Sequence, residues 1–80
     1  MDRQAVFAKL VEIMKDIFDN DELIVDDAST ADDVADWDSA NHVRLMIAVE
    51  EEFGIRFESD EITAPETVGE LVELISSKLA

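Results

Sequence analysis

A serine that can carry a covalently attached group stands at position 39, directly after a carboxylate. Trp37 and Asp38 precede it, and a largely apolar run over residues 43–49 follows. The pattern predicts that Ser39 lies at the start of a helix, where free backbone N–H groups and the positive end of the helix dipole favour anions. A phosphate esterified to the Ser39 hydroxyl would be stabilised at that position. These residue types therefore indicate an attachment site and not a catalytic centre.

The same segment allows a second interpretation, in which Ser39 is a nucleophile, His42 its base and Asp38 the acid that orients the base. Side chains this close together in one helical start cannot easily place an imidazole between a hydroxyl and a carboxylate. Nothing in the sequence indicates an oxyanion hole either. We therefore predict no catalytic residues and no enzyme activity, and we expect His42 to be solvated.

Carboxylate clusters over residues 19–21 and 36–38 resemble calcium ligands in their spacing. An EF-hand loop counted from Asp19 would need glycine and glutamate at the positions of Ile24 and Thr30, and a loop counted from Asp32 fails in the same way. We predict no metal site, and only weak binding of divalent ions by the clustered carboxylates stays open.

Length and charge restrict the function further. Eighty residues predict one domain, residues 1–80, with no room for a large catalytic cavity. A net charge of −15 argues against nucleic acid and anionic membranes and favours partners with basic patches. No cysteine is present, so thiol chemistry would require an added group. The sequence shows neither a signal-peptide pattern nor a membrane-spanning stretch, so we expect a cytoplasmic monomer.

Apolar periodicity predicts the elements that position Ser39. Three-and-four spacing predicts a first helix over residues 3–18, ended by the polar residues 19–21. A long connection follows, with ten acidic residues and no basic one between Lys15 and Arg44. We expect this connection to be ordered, because it contains apolar residues that need burial. They are Leu23, Ile24, Val25, Val34 and Trp37.

Three more helices are predicted after the long connection. The second covers residues 39–53, with Gly54 as its left-handed cap. Residues 59–62 predict a single-turn third helix capped by its serine. A capping box between Thr67 and Glu70 predicts the start of a fourth helix that stays apolar on one face to the C-terminus.

The second helix carries more apolar surface than one core contact requires. Ser39, Val43 and Ile47 recur at four-residue intervals and predict a semi-exposed stripe beside the core-facing one. Glu50 and Glu51 extend the helix with charge, and an apolar contact with a polar rim is the usual anatomy of an interface. A slightly overpacked core helix with a solvated tail is the alternative interpretation.

The chain resembles the acyl carrier protein family. Asp38 and Ser39 match the start of the family's Asp-Ser-Leu motif, and residues 43–55, VRLMIAVEEEFGI, are similar to its second helix and following turn. The resemblance covers essentially the whole chain and implies an all-α four-helix bundle with a long first loop and a short third helix. It also implies that Ser39 carries 4′-phosphopantetheine from coenzyme A, whose terminal thiol holds an acyl or aminoacyl group as a thioester.

The resemblance also implies partners. A phosphopantetheinyl transferase would install the arm, and Asp38 would assist its recognition besides capping the helix. Enzymes that load, extend or transfer the acyl group would dock basic patches on the second helix. The predicted partner-binding residues are Val43, Arg44, Ile47, Glu50 and Glu51.

Several positions depart from the family pattern, among them the large Trp37 before the serine and the non-acidic Asn41, His42 and Arg44 in the first half of the second helix. Ala40 replaces the usual leucine, which removes an apolar contact for a general phosphopantetheinyl transferase. Asp36 stands where glycine is common, so we expect the loop before Ser39 to differ in geometry. Arg44 would repel a basic enzyme of fatty acid synthesis. These departures predict a specialised carrier for lipid, surface-glycan or secondary-metabolite synthesis. The alternative is an adaptor that has lost the arm and acts through its acidic second helix.

Overall fold

Four α-helices and the loops between them account for the chain. The structure, a computed structural model, describes all 80 residues. The helices are α1 (Arg3–Ile17), α2 (Ser39–Phe53), α3 (Ser59–Thr63) and α4 (Val68–Leu79), and a 3₁₀ turn lies at Ala31–Asp33 in the first connection. The all-α prediction, with a long first loop and a short third helix, is confirmed. None of the four helices is long and apolar enough to cross a membrane.

One core lies between the three long helices, and α1 packs against both α2 and α4. All 16 of its residues are apolar, and no polar or charged residue is buried. In contrast, α3 contributes no buried residue. The core comprises Val6, Leu10, Ile13, Met14, Phe18, Leu23, Val34, Trp37, Leu45, Met46, Val49, Phe53, Val68, Leu71, Val72 and Ile75.

Left-handed residues end both α1 and α2. Asp19 has φ 52°, and the N–H of Asn20 donates to the carbonyl of Lys15 at 2.9 Å. Helix α1 therefore ends at Ile17, one residue before the predicted end, and Phe18 forms its cap while remaining in the core. Gly54 has φ 67° after α2, as predicted, and glycine adopts this conformation without a steric penalty.

The first connection is ordered by apolar residues, with one exception to the prediction. Leu23, Val34 and Trp37 are buried, and Val25 packs against the core, but Ile24 is 92% exposed. The prediction that Ile24 is buried was wrong, because the core takes up its neighbours Leu23 and Val25 and leaves the Ile24 side chain in solvent.

Backbone hydrogen bonds fasten this connection to the start of α4. The N–H groups of Val68 and Gly69 donate to the carbonyls of Ser29 and Asp27, both at 2.9 Å. A Cβ at Gly69 would lie 2.9 Å from that Asp27 oxygen, so the close approach requires glycine. Arg3 adds ion pairs with Asp27 and Glu73, which tie α1 to the connection and to α4.

The starts of α3 and α4 differ in detail from the predicted caps. Glu58, and not Ser59, is the cap of α3, and its N–H donates to the Glu61 carboxylate at 2.8 Å. Thr67 caps α4 by accepting the N–H of Glu70 at 3.1 Å, as predicted. The returning bond differs, because the Glu70 carboxylate accepts the N–H of Glu66 and not that of Thr67. The third helix thus begins with a glutamate pair that the serine-cap rule does not cover.

Candidate functional site

Ser39 is the first residue of α2 and is exposed. Asp38 is the helix cap, since its Oδ1 accepts the N–H of Asn41 at 2.8 Å. The N–H groups of Ser39 and Ala40 have no acceptor within the protein. Two free N–H groups and the helix dipole therefore lie beside an accessible hydroxyl, an arrangement that suits a phosphodiester.

The loop before Ser39 keeps a glycine-like geometry although it contains no glycine. Asp36 has φ 69°, in the left-handed region that glycine favours and aspartate tolerates. The Asn41 side-chain amide donates to the Asp36 carbonyl at 2.8 Å and so ties the loop to the first turn of α2. The backbone at Asp36 therefore has a conformation that glycine would also favour.

His42 is half-buried and engages both of its ring nitrogens, which corrects the expectation that it is solvated. The buried Trp37 donates its indole N–H to Nδ1 of His42 at 3.0 Å, and Nε2 lies 2.6 Å from the carbonyl of Ile62. An indole N–H can only donate, so Nδ1 must accept and Nε2 must carry the proton. Neither nitrogen is free to act as a base for Ser39, so the geometry does not support the catalytic interpretation.

Sequence reasoning missed the partnership between Trp37 and His42. The available signal was the need of a buried indole N–H for an acceptor. Only the fold shows that His42 accepts the indole N–H, because Trp37 lies in the loop and His42 lies one turn into α2.

An open groove of about 600 Å³ adjoins Ser39. It runs between the 3₁₀ turn, the start of α2, and the end of α3 with the connection that follows. Its lining residues are Thr30, Ala31, Asp32, Trp37, Asp38, Ser39, His42, Val43, Ile62, Thr63, Pro65 and Glu66.

Four of the five predicted partner-binding residues are exposed, and the fifth, Glu50, is half-buried. Val43 and Ile47 are 47% and 50% exposed and form the apolar stripe below Ser39. Arg44 and Glu51 are exposed as well. Glu50 is half-buried, and its carboxylate accepts the N–H of Phe57 at 2.8 Å. Glu50 therefore faces α3 and helps to hold the connection between α2 and α3.

Metal binding has no support in the arrangement of ligands. No group of three or more histidine, aspartate or glutamate side chains is placed to hold a metal ion. The acidic residues of the first connection are spread along it, and several are engaged in local hydrogen bonds, as Asp26 and Asp33 are.

Comparison with known proteins places this geometry in a family. Residues 8–75 match the family model described as a phosphopantetheine attachment site. The chain is 41% identical to an acyl carrier protein of Petrotoga mobilis over 81 aligned residues, covering 99% of this chain and 93% of the relative. The chain belongs to the acyl carrier protein family.

Other acyl carrier proteins extend the agreement to sequence and fold. An acyl carrier protein of Thermosynechococcus vestitus is 33% identical, over 100% of this chain and 99% of the relative. The solution structure of holo acyl carrier protein from Geobacter metallireducens matches with a TM-score of 0.85 and 30% identity, over 92% of this chain and 85% of that one. As an acyl carrier protein, the chain is a carrier and not an enzyme, and its cofactor is covalently attached 4′-phosphopantetheine.

Proposed function

We propose that Ser39 is the residue to which 4′-phosphopantetheine is attached. The observation that carries the proposal is an exposed serine at the first position of α2, inside the segment that matches the attachment-site model. Ser39 lies next to the free N–H groups that would stabilise the phosphodiester. Asp38 supports the same assignment, because its cap fixes the backbone that presents the hydroxyl.

The arm supplies a thiol that can hold an acyl or aminoacyl group as a thioester. The chain itself has no cysteine, so a modified Ser39 would provide its only sulfhydryl group. The protein then presents the bound group to partner enzymes, which supply the catalytic groups. A phosphopantetheinyl transferase and the enzymes that load and transfer the acyl group are the proposed partners, and we place the carrier in the cytoplasm as a monomer.

The exposed surface of α2 is the proposed docking site for these enzymes. Val43 and Ile47 supply apolar contact, and Glu51 supplies the negative charge that a basic patch would meet. Asp38 would contribute at the transferase. Glu50 would act on partners only indirectly, since its carboxylate already holds the N–H of Phe57.

Arg44 supports the proposal of a specialised lipid, surface-glycan or secondary-metabolite pathway. Its side chain is exposed between Val43 and Ile47 and forms no ion pair, so it adds an uncompensated positive charge to the docking surface. A basic enzyme of general fatty acid synthesis would be repelled there. Arg44→Glu should therefore gain affinity for such enzymes in a pull-down, and no gain would remove this electrostatic argument.

Ala40 supports the second candidate, an unmodified adaptor. It is exposed at the position directly after Ser39, where the usual leucine would offer a transferase an apolar contact. In this function the acidic face of α2 would bind partners while Ser39 stayed bare. The two candidates share every structural feature described here and differ only in the chemical state of Ser39.

The test is the intact mass of the purified protein before and after incubation with coenzyme A, magnesium and a broad-specificity phosphopantetheinyl transferase. We expect a gain of one phosphopantetheinyl group, absent from Ser39→Ala. Ser59→Ala is the matched control, because Ser59 is also an exposed serine at the first position of a helix. If the broad-specificity transferase adds no mass, a transferase dedicated to this carrier is tried next. If the mass still does not increase, the result would favour the adaptor.

A further inference from the structure

The bridge from Trp37 through His42 to Ile62 joins three parts of the fold around Ser39. Trp37 lies two residues before Ser39, and its ring stands 5.9 Å from that of Phe18 at the end of α1. On its other side Trp37 stacks on His42, with ring centroids 6.1 Å apart and planes 23° apart. The second nitrogen of His42 then reaches the backbone of α3. One side chain of α2 therefore holds both walls of the groove beside Ser39.

Polar contacts contribute to the attachment of α3. Helix α3 has no buried residue, and within it only the half-buried Ile62 packs against the core. Two side chains of α2 bond to its backbone or to the segment leading into it: His42 at Ile62 and Glu50 at Phe57. Losing the contact at His42 would loosen the part of α3 that lines the groove, while the ion pair between Glu61 and Lys78 would still hold the helix to α4.

We propose that His42 is a positioning residue for the modification of Ser39. It fixes the loop that leads into Ser39 through Trp37 and fixes α3 through Ile62, so that a transferase meets the serine in one arrangement. This inference rests on the proposed function, because it concerns the same serine.

Both bonds require the neutral imidazole with its proton on Nε2. A proton added to Nδ1 would point at the indole N–H of Trp37, and two donors cannot bond. The two contacts therefore fix both the tautomer and the orientation of the ring.

The experiment compares rates of Ser39 modification among variants of the bridge residues. The time course of intact mass gives kcat/KM with the transferase and coenzyme A for each variant. Rates are expressed relative to the wild type. The variants are His42→Gln, His42→Ala and Trp37→Phe. Asp16→Asn is the control, because Asp16 is an exposed residue of α1 whose side chain makes no hydrogen bond or ion pair in the structure.

We expect His42→Ala to reduce kcat/KM about three- to tenfold, the loss that one net hydrogen bond produces. His42→Gln has an uncharged donor and acceptor and should recover most of that loss. Trp37→Phe removes the indole N–H and should also reduce kcat/KM.

A spectroscopic measurement detects the hydrogen bond between Trp37 and His42 independently of the modification of Ser39. Trp37 is the single tryptophan and His42 the single histidine, so the indole N–H resonance of Trp37 reports on this contact alone. It should shift in His42→Ala, where the acceptor is lost, and stay close to its wild-type position in His42→Gln. If the wild type is modified and both His42 variants are modified at the same rate, the inference alone would be overturned. A wild type that no transferase modifies would overturn the proposed function and the inference with it.

Discussion

Asp36 is the residue whose conformation most directly shapes the approach to Ser39. Its φ of 69° places an L-residue where glycine is favoured, and its carbonyl is held by the Asn41 side chain. Left-handed geometry costs most L-residues about 1–2 kcal/mol, and aspartate is among those that tolerate it best. The loop therefore depends on a backbone conformation that few side chains can adopt.

Substitution at Asp36 tests this dependence. Asp36→Gly should change the free energy of unfolding by less than about 1 kcal/mol, whereas Asp36→Val should lower it by about 1–2 kcal/mol. Urea denaturation measures both values. Asp19, which also has a positive φ but lies far along the chain from Ser39, supplies the matched pair Asp19→Gly and Asp19→Val. If the valine and glycine variants at position 36 were equally stable, the left-handed backbone conformation would not be the cause of strain at this residue.

At the residue scale, the sequence rules for helix starts correctly predicted the features that depend only on neighbouring residues. Asp38 as a cap and Ser39 at the helix start follow from the spacing of a carboxylate, a serine and an apolar run. The role of His42 did not follow, because its partners come from a loop and from α3, and no helix rule encodes either contact. The hydrogen bond between the Phe57 N–H and the Glu50 carboxylate could not be predicted either, because it joins α2 to the segment that leads into α3.

At the scale of elements, an ion pair helps to hold the short helix α3. Its Glu61 accepts the backbone N–H of Glu58, and Lys78 of α4 lies 2.8 Å from the same carboxylate. These contacts, the backbone bond first, lower the pKa of Glu61 below its ordinary value of 4.5. The ionised form is therefore the one that ties α3 to α4.

The lowered pKa of Glu61 predicts a pH-dependent effect of its removal. The ionised carboxylate stabilises the folded state above the ordinary pKa of 4.5, and this contribution is lost as pH falls through the lower pKa of the folded state. Glu61→Gln should be less stable than the wild type near neutral pH, and the difference should shrink below about pH 4.5. Thermal melts across pH measure it. Glu52→Gln is the control, because Glu52 is exposed and its side chain has no partner. A difference in melting temperature between Glu61→Gln and the wild type that increased in acid would contradict the stabilising role of ionised Glu61.

The long helices could be predicted from sequence because their apolar faces repeat over many residues. The start of α2 at Ser39 and the left-handed Gly54 after it agree with the prediction. Short elements were harder to predict: the cap of α3 is Glu58, and Ile24 is exposed. Glu58 was missed because its backbone pairs with a glutamate and not with a usual capping residue, and Ile24 was missed because a single apolar residue in a loop has no periodic pattern to show which way it points.

For the whole molecule, charge is the dominant feature. The net charge is −15, and only three basic residues, Arg3, Lys15 and Lys78, form ion pairs. Some loop acids are satisfied locally, such as Asp33 by the N–H of Thr30, but many have no partner. Repulsion among the acids should therefore oppose folding at low ionic strength.

Added salt should stabilise the protein. The melting temperature should rise with sodium chloride over the range in which screening of surface charges becomes effective, about 0.01 to 0.5 M. The double variant Asp21→Asn and Glu22→Gln removes two exposed charges that make no side-chain contact and should show a smaller rise. A melting temperature that stayed constant or fell with salt would mean that local hydrogen bonds already relieve the repulsion.

The central claim is that Ser39 carries the phosphopantetheine arm, and peptide mapping of the modified protein tests it most directly. Trypsin cleavage after Lys15 and Arg44 releases a peptide of residues 16–44 that contains Ser29, Thr30 and Ser39. Fragmentation of that peptide locates the added group. We predict a single phosphopantetheinyl group on Ser39 and unmodified Ser29 and Thr30. A group located on any other residue, or a peptide that stays unmodified with every transferase tried, would contradict the account.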